Sequence, residues 1–205
     1  MIKESHFTQF KEAIDAIHPI GSECFNKIME ISEYSNLESK DYFSKSGDLY
    51  DVFGFVVSGG LRVFYLSEDG KENNKHFLLE NSFISASISP EKKSITSIQA
   101  LLSTQLICLK YSSLIALTRK YSQLSEFRQK LIEYYLEGKQ KREIQLLSQT
   151  AEESYSLFLA QHPKLQEKIS QYHIASYLGV TPTQLSRIRS KIKLNNQHMQ
   201  MNTQV

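Results

Sequence analysis

Cysteine is scarce in this chain, which has only Cys24 and Cys108 among 205 residues. The two lie far apart, and neither has a CxxC partner or a suitably spaced histidine. Neither a structural zinc nor a redox pair is indicated, and both read as small buried side chains. Long apolar runs are also missing: no stretch of about eighteen apolar residues is present to form a membrane-spanning helix. The N-terminal Met1-Ile-Lys-Glu-Ser-His6 places charged and polar residues where a signal peptide needs an apolar core. A cytoplasmic chain without membrane contact is the expectation. The motifs of catalysis are absent too, with no glycine-rich phosphate loop, no HExxH and no GxSxG. The carboxylates of Glu152 and Glu153 are adjacent, so a helix points them to different sides instead of converging them. No enzyme, cofactor or metal is predicted.

What is present is a globular composition, 40% hydrophobic and 22% charged, in a chain long enough for one large domain or two small ones. The net charge of +2 is too small to argue for nucleic acid by itself. Its placement says more. From Thr181 to Val205 the sequence has Arg187, Arg189, Lys191 and Lys193 and no acidic residue, a local basic footprint.

The apolar spacing from Phe7 to Tyr34 is near 3.6, broken by His18-Pro-Ile-Gly21, and predicts two leading helices. After Asp41 the pattern changes to short apolar runs. Val52-Phe53, Phe55–Val57, Leu61–Leu66, Lys75–Leu79, Ser82–Ile84, Ile95–Ile98 and Thr104–Leu109 read as strands. Ser58-Gly-Gly60 and Glu68-Asp-Gly70 supply the hairpin turns. Many short strands at close spacing mean a sandwich or barrel. From Tyr111 the chain turns helical. Leu117, Leu124 and Leu131 repeat at seven, with Leu114, Tyr121, Arg128 and Tyr135 at the alternate position of the repeat, which is coiled-coil spacing over a helix of about 112–137. That stripe predicts dimerisation; the alternative is that it packs on its own β domain. Gly138 and the mixed charges after it read as a hinge, and Ile144, Leu146, Leu147, Tyr155, Leu157, Phe158 and Leu159 as a first helical core of a second domain. The expected division is 1–137, 138–194 and a disordered, Asn/Gln/Met-rich tail at 195–205.

The most informative stretch is Gln171–Lys191, two short helices joined by a tight turn. Ile174, Ala175 and Leu178 form an inner face, Gly179 is suited to a left-handed helix end, and Val180 fills the corner. Thr181 is placed to cap the next helix, Pro182 falls in its first turn, and Leu185 and Ile188 face inward. Thr183, Gln184, Ser186, Arg187, Arg189 and Ser190 remain outward. Such a helix suits a major groove. Thr183, Gln184 and Arg187 are the predicted base readers, with Arg189, Lys191 and, as a smaller contributor, Ser186 on the backbone.

The run Ile174-Ala-Ser-Tyr-Leu-Gly-Val-Thr-Pro-Thr-Gln-Leu-Ser-Arg-Ile-Arg189 resembles that of the cyclic-AMP receptor protein and fumarate-nitrate regulator (Crp/Fnr) group of bacterial transcription factors. The resemblance extends over nearly the whole chain. It implies an α+β fold: an N-terminal double-stranded β-helix (a jelly-roll of cyclic nucleotide-binding type), a long dimerisation helix and a C-terminal helix-turn-helix. It further implies a homodimer on double-stranded DNA, with Arg187 at a guanine edge and Thr181 on a phosphate, and RNA polymerase and an unidentified small-molecule effector as candidate further partners. The chain departs from the group in three places. Pro182 and Thr183 replace the usual arginine and glutamate, no strand-Gly-strand wing follows Ile192, and Ser82–Ser87 with Lys92-Lys-Ser94 lacks the glycine, glutamate and arginine of a cyclic-nucleotide site. Control by cyclic AMP is not expected, two cysteines are too few for an iron–sulfur cluster, and His76 has no support as a haem ligand. The roll either binds another small molecule or serves as a scaffold. The other reading is a non-catalytic effector-sensing or protein-interaction module with a vestigial helix-turn-helix.

Overall fold

Phe10 and Ile14, one turn apart and both buried, anchor the first helix, α1 (Glu4–Ile17). It stops at His18-Pro19, where Asp15 accepts a hydrogen bond from the Ile20 amide at 3.1 Å and turns the chain into α2 (Ser22–Glu30). This computed structural model describes residues 4–87 and 89–202, with side chains described as far as Leu194. The chain divides into two units between Gln140 and Lys141.

In the first unit eight strands follow: β1 (Ser32–Leu37), β2 (Tyr42–Ser44), β3 (Val52–Ser58), β4 (Gly60–Leu66), β5 (Glu72–Leu79), β6 (Phe83–Ser85), β7 (Ser97–Ala100) and β8 (Thr104–Lys110). They form two antiparallel four-stranded sheets of order β1-β8-β3-β6 and β2-β7-β4-β5, the jelly-roll expected. Strand β3 reads as an unbroken apolar run because both its faces are buried. Phe53, Phe55 and Val57 pack with Phe83, Ile107 and Leu109 under the helices, while Val56 joins Leu61, Leu78, Ile84, Ile98 and Leu106 between the sheets. The β3–β4 turn depends on Gly59, at φ +96°, where an added Cβ would lie 2.4 Å from the Ser103 carbonyl oxygen.

Strand β1 was not expected. Its sequence, Ser-Glu-Tyr-Ser-Asn-Leu, is mostly polar, and Ile31 just before it and Tyr34 within it continue the helical spacing. Pairing with β8, from Ser32 opposite Leu109 to Leu37 opposite Thr104, overrides that spacing.

The expected single pairing helix is two helices, α3 (Tyr111–Thr118) and α4 (Ser122–Ser148). Asp51 accepts from the Ser112 amide and hydroxyl and fixes the start of α3. The seven-residue stripe does not face outward. Leu114, Leu124 and Leu131 are in the core beneath the sheet, Leu117, Tyr121 and Tyr135 pack against it, and the Tyr135 hydroxyl donates to the Phe83 carbonyl at 2.6 Å. Arg128 is half-buried, its Nε without a hydrogen-bond partner. The physical reason is the apolar face made by Phe53 and Phe55 of β3, Phe83 of β6 and Ile107 and Leu109 of β8, which the nearest apolar stripe must cover. The face of α4 left in solvent includes Ile132 and Leu136, 50% and 55% exposed.

Gly138 lies inside α4, which continues through it without a break. The second unit takes the end of α4, then α5 (Ala151–Gln161), α6 (Leu165–Lys168), α7 (Gln171–Leu178) and α8 (Pro182–Asn202). Tyr155 and Phe158 are buried as expected, but Ile144, Leu146 and Leu147 are exposed and contribute no core. Helix α8 runs to Asn202, well into the segment expected to be disordered; residues 203–205 of that expectation lie outside the described residues. Among the described residues no helix is long and apolar enough to cross a membrane, and no group of three or more His, Cys, Asp or Glu side chains is placed to hold a metal ion.

Two outcomes follow from this packing. Leu124→Ala, emptying a fully buried site, should lower stability by about 2–5 kcal/mol, read as an earlier urea transition in the first unit. Burial, followed by the charge of Glu33, pushes the Cys108 thiol up to about 12. Its alkylation by iodoacetamide at pH 8.5 should therefore be about a thousandfold slower than that of a free thiol, rising about tenfold per pH unit while the chain stays folded and rising abruptly when it unfolds.

Candidate nucleic-acid interface

Two helix ends define the turn between α7 and α8. Ser170 caps α7 by accepting from the Tyr172 amide at 3.2 Å. At its other end Gly179 adopts φ 73° and ψ 23°; the Val180 amide bonds the Ala175 carbonyl at 3.0 Å and the Gly179 amide bonds Ser176 at 3.3 Å. This is a Schellman closure, and it needs the left-handed conformation that glycine supplies without strain. Ile174, Ala175 and Leu178 from α7 and Leu185 from α8 are buried, as their spacing predicts, whereas Ile188 is only half-buried.

Thr181 and Gln184 form a reciprocal cap at the start of α8. The Gln184 amide donates to Thr181 Oγ1 at 3.2 Å, and Gln184 Oε1 accepts from the Thr181 amide at 2.8 Å and from its hydroxyl at 3.0 Å. Pro182 takes the first helical position, where a missing N–H leaves nothing unpaired. Thr183, Ser186 and Arg187 are exposed on successive turns beyond this cap.

The seven sequence-predicted interface residues therefore differ in their surroundings. Thr181 and Gln184 are engaged with each other. Lys191 Nζ pairs with the Glu152 carboxylate at 2.7 and 2.9 Å. Arg189 is half-buried near Tyr155, whose hydroxyl burial pushes up and the Arg189 charge pulls down. Glu153, the other member of the acidic pair, closes a capping box with Thr150: the Thr150 amide and then its hydroxyl hold that carboxyl below its ordinary range. Sequence reasoning missed the Gln184 cap, although Thr181-x-x-Gln184 is a capping-box spacing, and it missed the Glu152–Lys191 pair, which is 39 residues apart and had no local signal. No strand follows α8 among the described residues.

The roll offers little to a phosphodiester. Gly54 leaves room for the Phe43 ring, which with Ile84 lies within 3.4 Å of where its Cβ would be, and apolar side chains pack between the sheets. Lys92 and Lys93 are exposed, and the backbone of Lys93 is bridged to Leu49. Among the described residues the deeply buried arginine is Arg62, 3% exposed, whose guanidinium is held by Glu72, Asn74 and Gln99 and lies 3.9 Å over the Phe64 ring. The buried guanidinium is thus engaged by protein partners, and the Ser82–Ser87 and Lys92–Ser94 stretches supply no second arginine.

An antiparallel roll followed by a capped helix-turn-helix is the order of parts that the sequence resemblance implied. No family model matches the chain. It is similar to the transcriptional activator protein Anr of Pseudomonas protegens, 24% identical over 170 residues that cover 78% of this chain and 70% of Anr. Among solved structures it is similar to FixK2 from Bradyrhizobium japonicum, with TM-score 0.73, 19% identity, and 81% of this chain and 86% of FixK2 covered. It is also similar to CLP, the c-di-GMP responsive global regulator of Xanthomonas campestris, with TM-score 0.70, 12% identity, and 86% and 93% covered. The fold is that of the Crp/Fnr-type regulators, and the resemblance read at Ile174–Arg189 holds over most of the chain.

The cap is testable on its own. Thr181→Ala should cost about 0.5–2 kcal/mol in thermal unfolding of the second unit, whereas Gln184→Glu, which can still close the reciprocal cap, should keep the wild-type transition.

Proposed function

We propose that the chain is a cytoplasmic, non-enzymatic transcription regulator that binds double-stranded DNA in a sequence-specific way as a homodimer and is not controlled by cyclic AMP. The observation that carries this reading is α8: capped at Thr181, free of acidic residues from 181 onward, with Thr183, Ser186 and Arg187 exposed on its first turns. A helix entering the major groove touches base edges with those turns. Arg187, with two parallel donors, is the group suited to guanine O6 and N7, and Thr183 is its neighbour one turn earlier. The hydroxyls of Thr181 and Ser186 and the charges of Arg189 and Lys191 serve the phosphate backbone, with Lys191 exchanging Glu152 for a phosphate. Gln184, its carbonyl oxygen committed to the cap, retains only its amide N–H donors for DNA.

Dimerisation in this reading uses the solvent face of α4 instead of the stripe first expected. Ser125, Gln129, Ile132, Leu136 and Lys139 are all exposed and step by fours and threes, the spacing of a two-helix seam with Ile132 and Leu136 as its apolar pair. Two copies would then place their reading helices in successive major grooves, about 34 Å apart. The lack of an arginine clamp and the apolar packing of the roll support independence from cyclic nucleotides. RNA polymerase and an effector of another class complete the set of proposed partners.

Selection from a randomised duplex pool by the full-length protein, without added ligand, should enrich a palindrome; no enrichment would overturn ligand-independent binding. In gel-shift titrations Arg187→Ala should lose about 1–3 kcal/mol on the enriched duplex and little on a random one. Lys191→Ala should weaken both similarly. Equal loss on both duplexes for the Arg187 variant would refute the base contact.

A further inference from the structure

Arg142 lies in the last turns of α4 and falls outside every sequence motif of the helix-turn-helix. Its Nη2 donates to the carbonyl oxygen of Tyr177, and its guanidinium lies over the ring of the same residue, 4.0 Å from the centroid. Tyr177 is itself 9% exposed, and its ring packs against the buried Phe158 at 5.9 Å. The carbonyl is a particular one. The last four carbonyls of a helix have no partner within it, and the closure at Gly179 takes those of Ala175 and Ser176. Tyr177 is the next residue, two positions before the left-handed glycine on which the turn pivots. A cation there also meets the negative end of the α7 dipole.

We infer that Arg142 is a positioning residue for DNA reading: it locks the end of α7, and with it the turn that aims α8, without touching DNA. The inference rests on α8 being the DNA-reading helix, as proposed above. The residue type matters. A guanidinium both stacks on a ring and directs a fixed N–H at a carbonyl, whereas a lysine ammonium is a point charge on a flexible stem. The contact joins α4, which supplies the proposed pairing surface, to α7 within the second unit. The turn is consequently held from outside the two-helix motif as well as by its own backbone bonds.

The test uses the full-length wild type, Arg142→Ala and Arg142→Lys on the selected duplex and a random duplex, with amide hydrogen exchange over residues 178–181 of the free proteins. Arg142→Ala should weaken the selected duplex about tenfold and the random duplex by no more than about twofold, since no phosphate contact is lost. Exchange at Gly179 and Val180 should quicken. Arg142→Lys should recover only part of both effects. Equal losses on the two duplexes would make Arg142 a phosphate contact or a general stability residue and overturn the inference, as would unchanged binding and exchange. A wild type that selects no sequence would overturn the DNA reading itself and with it the positioning role, while the exchange comparison would still decide whether the side chain locks the turn.

Discussion

The first unit is organised by the burial of one sheet face. Phe53 and Phe55 on β3, Phe83 on β6 and Ile107 and Leu109 on β8 present an apolar surface too large to leave in water, and four helices cover it. Helices α1 and α2 bring Phe10, Ile14 and Ile28; α3 and α4 bring Leu114, Leu124, Phe127 and Leu131. The aromatic contacts are tight, with the Phe10 and Phe55 ring centroids 4.9 Å apart and Phe83 and Phe127 at 5.5 Å. That demand determines what α4 can offer elsewhere. Its most regular apolar stripe is buried within the chain itself, so the helix pairing proposed above is left the weaker line through Ile132 and Leu136.

The second unit is small, and its order comes from helix ends more than from a large core. Thr150, Ser170 and Thr181 each accept an amide at a helix start, and Gly179 closes α7. Each cap satisfies a backbone group that would otherwise need water, and each fixes the angle at which one helix leaves the preceding segment. Polar residues near α8 therefore take part in holding the helix, and Gln184 and Lys191 are committed to protein partners.

Much of this was legible in the sequence wherever the signal was local. The strands from Val52 onward, the Gly59 and Gly70 turns, the two leading helices and the Leu178-Gly-Val-Thr-Pro182 corner follow from alternation, positive-φ glycines and capping chemistry, all readable within a few residues. What was lost was set at a distance. Strand β1 exists because β8 offers its edge, and the 114–135 stripe turns inward because of aromatic residues on strands far earlier in the chain. Periodicity shows that a helix has an apolar face but not what covers it. The exposed Ile144, Leu146 and Leu147 make the same point from the other side, being apolar by type and left in solvent.

The separation of roles on α8 bears on how specificity would arise in a regulator of this kind. Affinity for DNA in general scales with free positive charge, and here one of the four cations between 181 and 194, Lys191, is already paired with Glu152 in the free chain. An exposed pair of that kind is worth little to stability, yet in the proposed reading it would have to be exchanged before the lysine met a phosphate, which would hold down the sequence-independent part of binding. Arg187 is exposed and follows Ser186 on a turn whose start is fixed by the Thr181–Gln184 cap. Discrimination is a ratio of specific to non-specific affinity. In the proposed DNA-bound form, a weaker phosphate contribution beside one bidentate donor held at a fixed height in the groove would raise that ratio without any added contact.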